Sequence, residues 1–164
     1  VEQYWRDNRL NMIHEGTHGI QATDLLGRKV RMESGRGMAL LAQRMQGTMA
    51  AASAHAHLMP FADALQQALD AVQEATRLAW STQDPVEALA NAVPYMQAFG
   101  HTVLAWIWLD LALAANATAA TPAAQGRLAA CQYFFRYELP RIGAWLGVVG
   151  ARDMTCAQLA EDAF

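Results

Sequence analysis

The chain has 164 residues, a net charge of −3 at pH 7 and 34 alanines. That length suits one domain with a proper core. The charge is mild, Lys29 is the single lysine and no basic patch is interleaved with aromatics, so nucleic acid is not an expected partner. Alanine is the best helix former and alternating β-branched runs are almost absent. The expected fold is therefore all-α, a helical hairpin followed by an antiparallel helical bundle. Cys131 and Cys156 have neither metal nor redox spacing. Each reads as a free thiol and a small buried apolar residue in a cytoplasmic protein.

Residues 2–13 are predicted to form one helix that ends ahead of a polar turn. Residues 12–21, MIHEGTHGIQ, hold the densest grouping of ionisable, glycine and hydroxyl residues in the chain. Within it, His14 to His18 spells H-E-x-x-H. On a continuous helix that spacing puts two histidines on one face to bind zinc, with Glu15 activating the bound water for a metallohydrolase. Gly16 and Thr17 argue against a continuous helix. Thr17 reads as an N-cap for a helix starting near His18, which places His14 and His18 on opposite sides of a break. A third ligand would have to come from Glu33 or Glu74. The expectation is that no metal binds.

A longer window changes the reading. Residues 4–21, YWRDNRLNMIHEGTHGIQ, resemble the signature near the C-terminal end of the acyl-CoA dehydrogenases: an aromatic, then R-D-A-[RK], then I-x-x-I-Y-E-G-T-x-x-I-Q. Arg6, Asp7, Arg9, Ile13, Glu15, Gly16, Thr17, Ile20 and Gln21 fall in register. His14 replaces the usual tyrosine and Asn8 replaces alanine. The continuation, Asp24 to Lys29, resembles the larger bacterial branch, which carries an additional helical domain. The resemblance implies a flavin enzyme that oxidises the α,β bond of an acyl-CoA. It assigns Glu15 as the α-proton base, Gly16 to the substrate, and Thr17, His18 and Gly19 to the border of FAD. It further implies an electron-transfer flavoprotein as electron acceptor and an oligomeric enzyme. The residue chemistry agrees. An apolar wall of Ile13 and Ile20 would raise the glutamate pKa and strengthen the base. A glycine beside it admits the substrate closely. The chain opens on Val1 almost directly at this late signature, so a fragment of a longer enzyme is expected, without turnover or flavin of its own. The contrasting possibility is a non-catalytic helical interaction domain.

A second helix is predicted over residues 18–33, with Arg28, Lys29 and Arg31 near its negative end. Glu33 to Gly37 is the clearest break and the expected domain boundary. Residues 1–34 would end the dehydrogenase helical domain. Residues 35–164 would form the appended bundle, and residues 37–164 should fold without residues 1–33.

Beyond the break, Met38, Leu41, Met45, Met49 and Ala52 mark a helical stripe over 37–58. Phe61, Leu65, Leu69, Val72 and Leu78 mark another over 61–80. Asp84-Pro85 is an N-cap followed by proline at the first helical position. Pro94 and Gly100 are expected points of kinking. Residues 102–115 are apolar almost all round but too short for a membrane span, which suggests a fully buried central helix with Asp110 needing a partner. Thr121-Pro122 repeats the start signal. Leu128, Cys131, Phe135, Leu139, Ile142 and Leu146 then form the longest stripe, bent at Pro140 and ended by Gly147 and Gly150. Thr155 and Gln158 suggest a capping box for a last short helix. His55 and His57 are read as surface or groove residues without metal.

Overall fold

The computed structural model describes residues 2–13, 17–116 and 121–163. Among these residues there are eight α-helices and no strand. They are α1 (Glu2–Asn8), α2 (Thr17–Asp24), α3 (Met32–Ser53), α4 (Met59–Ala79), α5 (Pro85–Leu89), α6 (Ala92–Asn116), α7 (Pro122–Tyr133) and α8 (Ile142–Ala151). The all-α expectation holds.

Helix α6 is the axis of the bundle, packed by α2, α3, α4, α7 and α8. Its direction relative to α3 follows from two ties: Trp106 Nε1 donates to Thr48 Oγ1 at 2.8 Å, and Asn116 Nδ2 lies 3.2 Å from His55 Nδ1. Helix α4 returns antiparallel, its Thr76 hydroxyl 2.7 Å from the Tyr95 hydroxyl. Tyr95 is fully buried, and desolvation pushes its pKa up to about 12 despite that hydrogen bond. The predicted start signals are used as read. The Asp84 side chain accepts from Val86 N at 2.9 Å, and Thr121 Oγ1 accepts from Ala124 N at 3.2 Å.

The stripe from Leu128 to Leu146 also forms, with Cys131, Phe135, Leu139, Ile142 and Leu146 in the core. Its bend has two parts: a π-turn at Phe134–Glu138 and a 3-10 turn at Leu139–Arg141 around Pro140. The helix ends past Gly150, with Arg152 in the left-handed cap conformation (φ 52°).

Several expectations are corrected. First, the apolar run at 102–115 belongs to a 25-residue helix, long and apolar enough by length and composition alone to cross a membrane. Second, α6 is not fully buried. Tyr95, Ala98, Thr102, Ala105, Leu109 and Ala112 face inward, while Leu104, Ile107 and Leu111 face out. Third, Asp110 is exposed and needs no buried partner. Pro94 sits in the first turn of α6, where a missing N–H is harmless, and neither it nor Gly100 breaks the helix. Fourth, Cys156 is exposed, whereas Cys131 is buried and its thiol pKa is pushed up to about 12 by desolvation. Fifth, Thr155 starts no α-helix. Its N–H is held by Asp153 Oδ1 at 3.0 Å, and a turn follows.

The break after residue 32 appears as predicted, with Glu33 (φ 50°), Ser34 (φ 55°) and Gly35 (φ 84°) all left-handed. The hydrophobic core nevertheless runs across it. Ala22, Leu26 and Val30 are buried with the bundle, and Trp80 Nε1 donates to the Leu26 carbonyl at 3.1 Å. The Arg31 guanidinium covers the Trp80 ring at 3.7 Å from its centroid. A π-turn at Leu25–Lys29 makes room for this latch, with Gly27 against the Leu89 side chain.

Candidate functional site

The signature segment lies at the entrance to α2. His14, Glu15 and Gly16 fall outside the described residues, so the structure assigns them no position. Thr17 opens α2 half-exposed, and His18 and Gly19 follow it, both open to solvent. Thr17 and His18 line one shallow groove of about 360 Å³ together with Asn11 and Gln21. Asn11 comes from the 3-10 turn Arg9–Met12 that ends the first helical stretch. The sequence reading gave Asn11 and Gln21 no role. Gln21 stands one helical turn after Thr17 in α2, whereas Asn11 comes from a different element, a proximity that residue type alone does not reveal.

Upstream, the signature residues are tied within their own helix. Arg6 pairs with Glu2, Gln3 Nε2 donates to Asp7 Oδ1 at 2.7 Å, and the Arg9 guanidinium lies 5.3 Å from the Trp5 ring centroid. No residue of α1 is buried. Tyr4, Trp5 and Leu10 are all exposed. The apolar wall expected beside Glu15 is also bare, with Ile13 at 69% and Ile20 at 71% exposure. Among the described residues those side chains lie open to solvent. Desolvating a carboxylate at this turn requires a further surface laid over them.

The groove offers hydroxyl, amide and imidazole groups at the start of an eight-residue helix. An ideal Cβ at Gly19 would meet nothing within 4 Å, so a ligand edge can approach there. Such a donor set suits the polar edge or phosphate of a ligand, but it forms one wall and encloses no ring system. Of the residues named for the zinc alternative, His14 and Glu15 lie outside the described residues, and the two further carboxylates lie in surface ion pairs. Glu33 is paired with Arg36 at 3.0 Å and Glu74 with Arg77, both on the surface. Among the described residues no group of three His, Cys, Asp or Glu side chains could hold a metal ion. His55 is half-buried beside Asn116, and His57 is exposed.

Residues 41–160 match the model of the family described as acetyl-CoA dehydrogenase C-terminal like. The chain belongs to this family. Two relatives agree with that membership of the acetyl-CoA dehydrogenase C-terminal like family. The 3-methylmercaptopropionyl-CoA dehydrogenase of Ruegeria pomeroyi is 37% identical over 120 residues, covering 71% of this chain and 20% of the relative. The broad-specificity linear acyl-CoA dehydrogenase FadE5 of Mycobacterium tuberculosis is 25% identical over 179 residues, covering 100% of this chain and 29% of the relative. The chain thus spans less than a third of the length of these two relatives. The family match lies on the bundle, and the signature at residues 4–21 lies ahead of it.

Proposed function

We propose that this chain acts as the C-terminal helical part of an FAD-dependent acyl-CoA dehydrogenase. The observation that carries the reading is the register of Arg6, Asp7, Arg9, Glu15, Gly16 and Thr17 directly ahead of a bundle of this family. Glu15 is the base. Its carboxylate takes the α-proton of the acyl thioester as the Cα–Cβ bond becomes double. FAD, when bound, accepts the β-hydride with its electron pair. Gly16 lies against the thioester, where the absence of a Cβ permits close approach. The Thr17 hydroxyl, the amides at the start of α2 and the open backbone at Gly19 would hold the edge of the cofactor, with His18 bordering it. The exposed Ile13, Ile20, Trp5 and Tyr4 are supporting observations. Each is an apolar side chain open to a covering dehydrogenase body, and covering the pair Ile13 and Ile20 would desolvate Glu15 and raise its basicity. The electrons leave through an electron-transfer flavoprotein, and the enzyme is an oligomer of the cytoplasm.

The test is Glu15→Gln in the flavin-loaded dehydrogenase that carries this segment. Flavin reduction by acyl-CoA, followed by stopped flow, should fall by about 10³-fold, within the usual range for a general base. Flavin content and acyl-CoA affinity should stay close to wild type. A Gln variant whose trace overlays the wild type would refute the assignment. Glu15→Asp should keep part of the activity, since withdrawal of the carboxylate by one methylene costs about 10²-fold.

A further inference from the structure

Helix α2 and the π-turn that extends it run without a break from the candidate groove to the bundle. Thr17, His18 and Gln21 line the groove at the near end, and Ala22, Leu26 and Val30 are buried further along. None of residues 17–21 is buried. The bundle therefore grips this helix by its far end, and the stiffness of the helix carries that grip to the groove.

The far end is fixed by a hydrogen bond that the π-turn makes available. The Val30 N–H donates to the Leu25 carbonyl at 3.1 Å, five residues back, rather than to the Leu26 carbonyl four residues back. The Leu26 carbonyl accepts instead from Trp80 Nε1 at 3.1 Å. The indole thus fills the acceptor that the π-turn vacates, in a buried place where an unpaired carbonyl is costly. Trp80 is itself held. The Arg31 guanidinium covers its ring at 3.7 Å from the centroid, and Gln83 Nε2 donates to its carbonyl at 2.7 Å. The turn is gauged from another side by α5, since a Cβ at Gly27 would lie 3.4 Å from Leu89 Cδ2.

The lever is long enough to matter. From Leu26 back to Thr17 the helix spans about 14 Å, so a tilt of about 4° at the latch moves Thr17 by about 1 Å. Misplacement of that size at a reacting centre costs about 10²-fold in rate. Rotation counts as well, because the π-turn decides which side of the helix faces the core and hence which way Thr17, His18 and Gln21 face.

We propose that Trp80 is a positioning residue: through the Leu26 carbonyl it sets the tilt and rotation of α2, and through α2 the placement of the segment that carries Glu15. Resting on the proposed role of Glu15, this gives the bundle a part in the reaction although Trp80 touches no reacting group.

Trp80→Phe in the flavin-loaded dehydrogenase tests it, because an aromatic ring remains and the N–H donor is lost. At saturating acyl-CoA, reduction per bound flavin should slow by about 10- to 100-fold. Flavin content and acyl-CoA affinity should stay close to wild type. Loss of packing alone would lower the yield of folded enzyme and leave the rate per bound flavin as it was. Trp106→Phe is the control. It also removes an indole hydrogen bond, the one to Thr48 Oγ1 at 2.8 Å between α6 and α3, and should leave that rate unchanged. In the same enzyme, the backbone amides of Thr17–Asp24 should exchange with solvent faster in Trp80→Phe, and those of α7 should not. Should Trp80→Phe not fold, Arg31→Ala uncovers the ring from the solvent side and keeps the Nε1 bond. It should slow reduction in the same sense by about two- to fivefold, the share of an exposed cation–π contact. A wild-type rate per flavin in Trp80→Phe, an equal slowing in Trp106→Phe, or unchanged exchange in α2 overturns the proposal. Glu15→Gln, measured alongside, separates the two readings. A slow Glu15→Gln beside a wild-type Trp80→Phe removes the positioning role alone. A wild-type Glu15→Gln removes the base, and the exchange of α2 then decides whether Trp80 holds that helix.

Discussion

The first helix and the second treat the same kind of residue in opposite ways. Helix α1 places Tyr4 and Trp5 in solvent and buries nothing, whereas α2 and its π-turn bury Ala22 and Leu26 completely. Both stretches belong to the signature side of the predicted boundary at residue 34. The difference separates apolar residues that serve this chain's own core from apolar residues that have no counterpart in it. The second group falls within the signature segment. Leu26→Ala should therefore cost about 2–5 kcal/mol, as for other fully buried leucines. Leu10→Ala, at an exposed position, should stay within about 0.5 kcal/mol. Deletion sharpens the contrast. Removing residues 1–11 should leave the thermal midpoint nearly unchanged. Removing residues 1–36 should abolish cooperative unfolding, because Trp80 loses both its carbonyl acceptor on Leu26 and its Arg31 cover. Cooperative melting of a chain starting at Gly37 would show that the bundle does not need α2, as the sequence expectation had it.

The helical stripes, both Asx/Thr-Pro starts and the Glu33–Gly35 break were legible because each rests on a local rule: period, cap or left-handed backbone. Helix α6 was misread because hydropathy ranks leucine and isoleucine above alanine. Here the small residues Ala98, Ala105 and Ala112 face inward, where α4, α7 and α8 approach closely, and the larger Leu104 and Ile107 are left outside. Apolarity all round is the same signal for a core helix and for one with a second face to cover. The groove at the site was only half legible. Thr17, His18 and Gln21 share one helix, but Asn11 joins them from a separate element. The Arg31–Trp80–Leu26 latch depends on a π-turn that residue pattern does not announce.

The buried core can be probed by alkali, which should distinguish it from the exposed N-terminal segment. Tyr95 and Cys131 are held in their neutral, protonated forms with pKa values pushed up to about 12 by desolvation. Unfolding releases them to ordinary values of about 10 and 8.5. Their contribution is fully present below those unfolded values. It is lost as pH rises through that window towards the folded values near 12, by roughly 3–5 kcal/mol per group at about 1.4 kcal/mol per pKa unit. Denaturant titrations should show stability falling above about pH 9. Tyr95→Phe and Cys131→Ala should each flatten that fall, whereas Tyr4→Phe in the exposed helix should leave it unchanged.

Caps provide a finer contrast between starts that are used and one that is not. Asp84→Ala and Thr121→Ala should each cost about 1 kcal/mol, since each side chain holds a backbone N–H of the helix that follows. Thr155→Ala should stay within about 0.5 kcal/mol, because Asp153 rather than Thr155 organises the C-terminal turn. A Thr155→Ala loss as large as that of Thr121→Ala would restore the predicted capping box.

The smallest expected effect concerns the break itself, where signature side and bundle meet. Glu33, Ser34 and Gly35 lie consecutively in the left-handed region, and the Gly35 N–H donates to the Arg31 carbonyl at 3.2 Å. Only Gly35 takes that conformation without a Cβ penalty; for other residues it costs about 1–2 kcal/mol. Ser34 is exposed, so Ser34→Gly removes strain with little loss of packing. Part of the gain is offset by the greater freedom that glycine gives the unfolded chain, about 0.5–1 kcal/mol. The net result should be a stabilisation of about 0.5–1 kcal/mol. Gly35→Ala should destabilise by a similar amount, because its φ of 84° is strained for any side chain. Opposite signs at adjacent positions are difficult to obtain from a general change in flexibility. If both substitutions shift the denaturation midpoint in the same direction, the left-handed run is not what links α2 to α3.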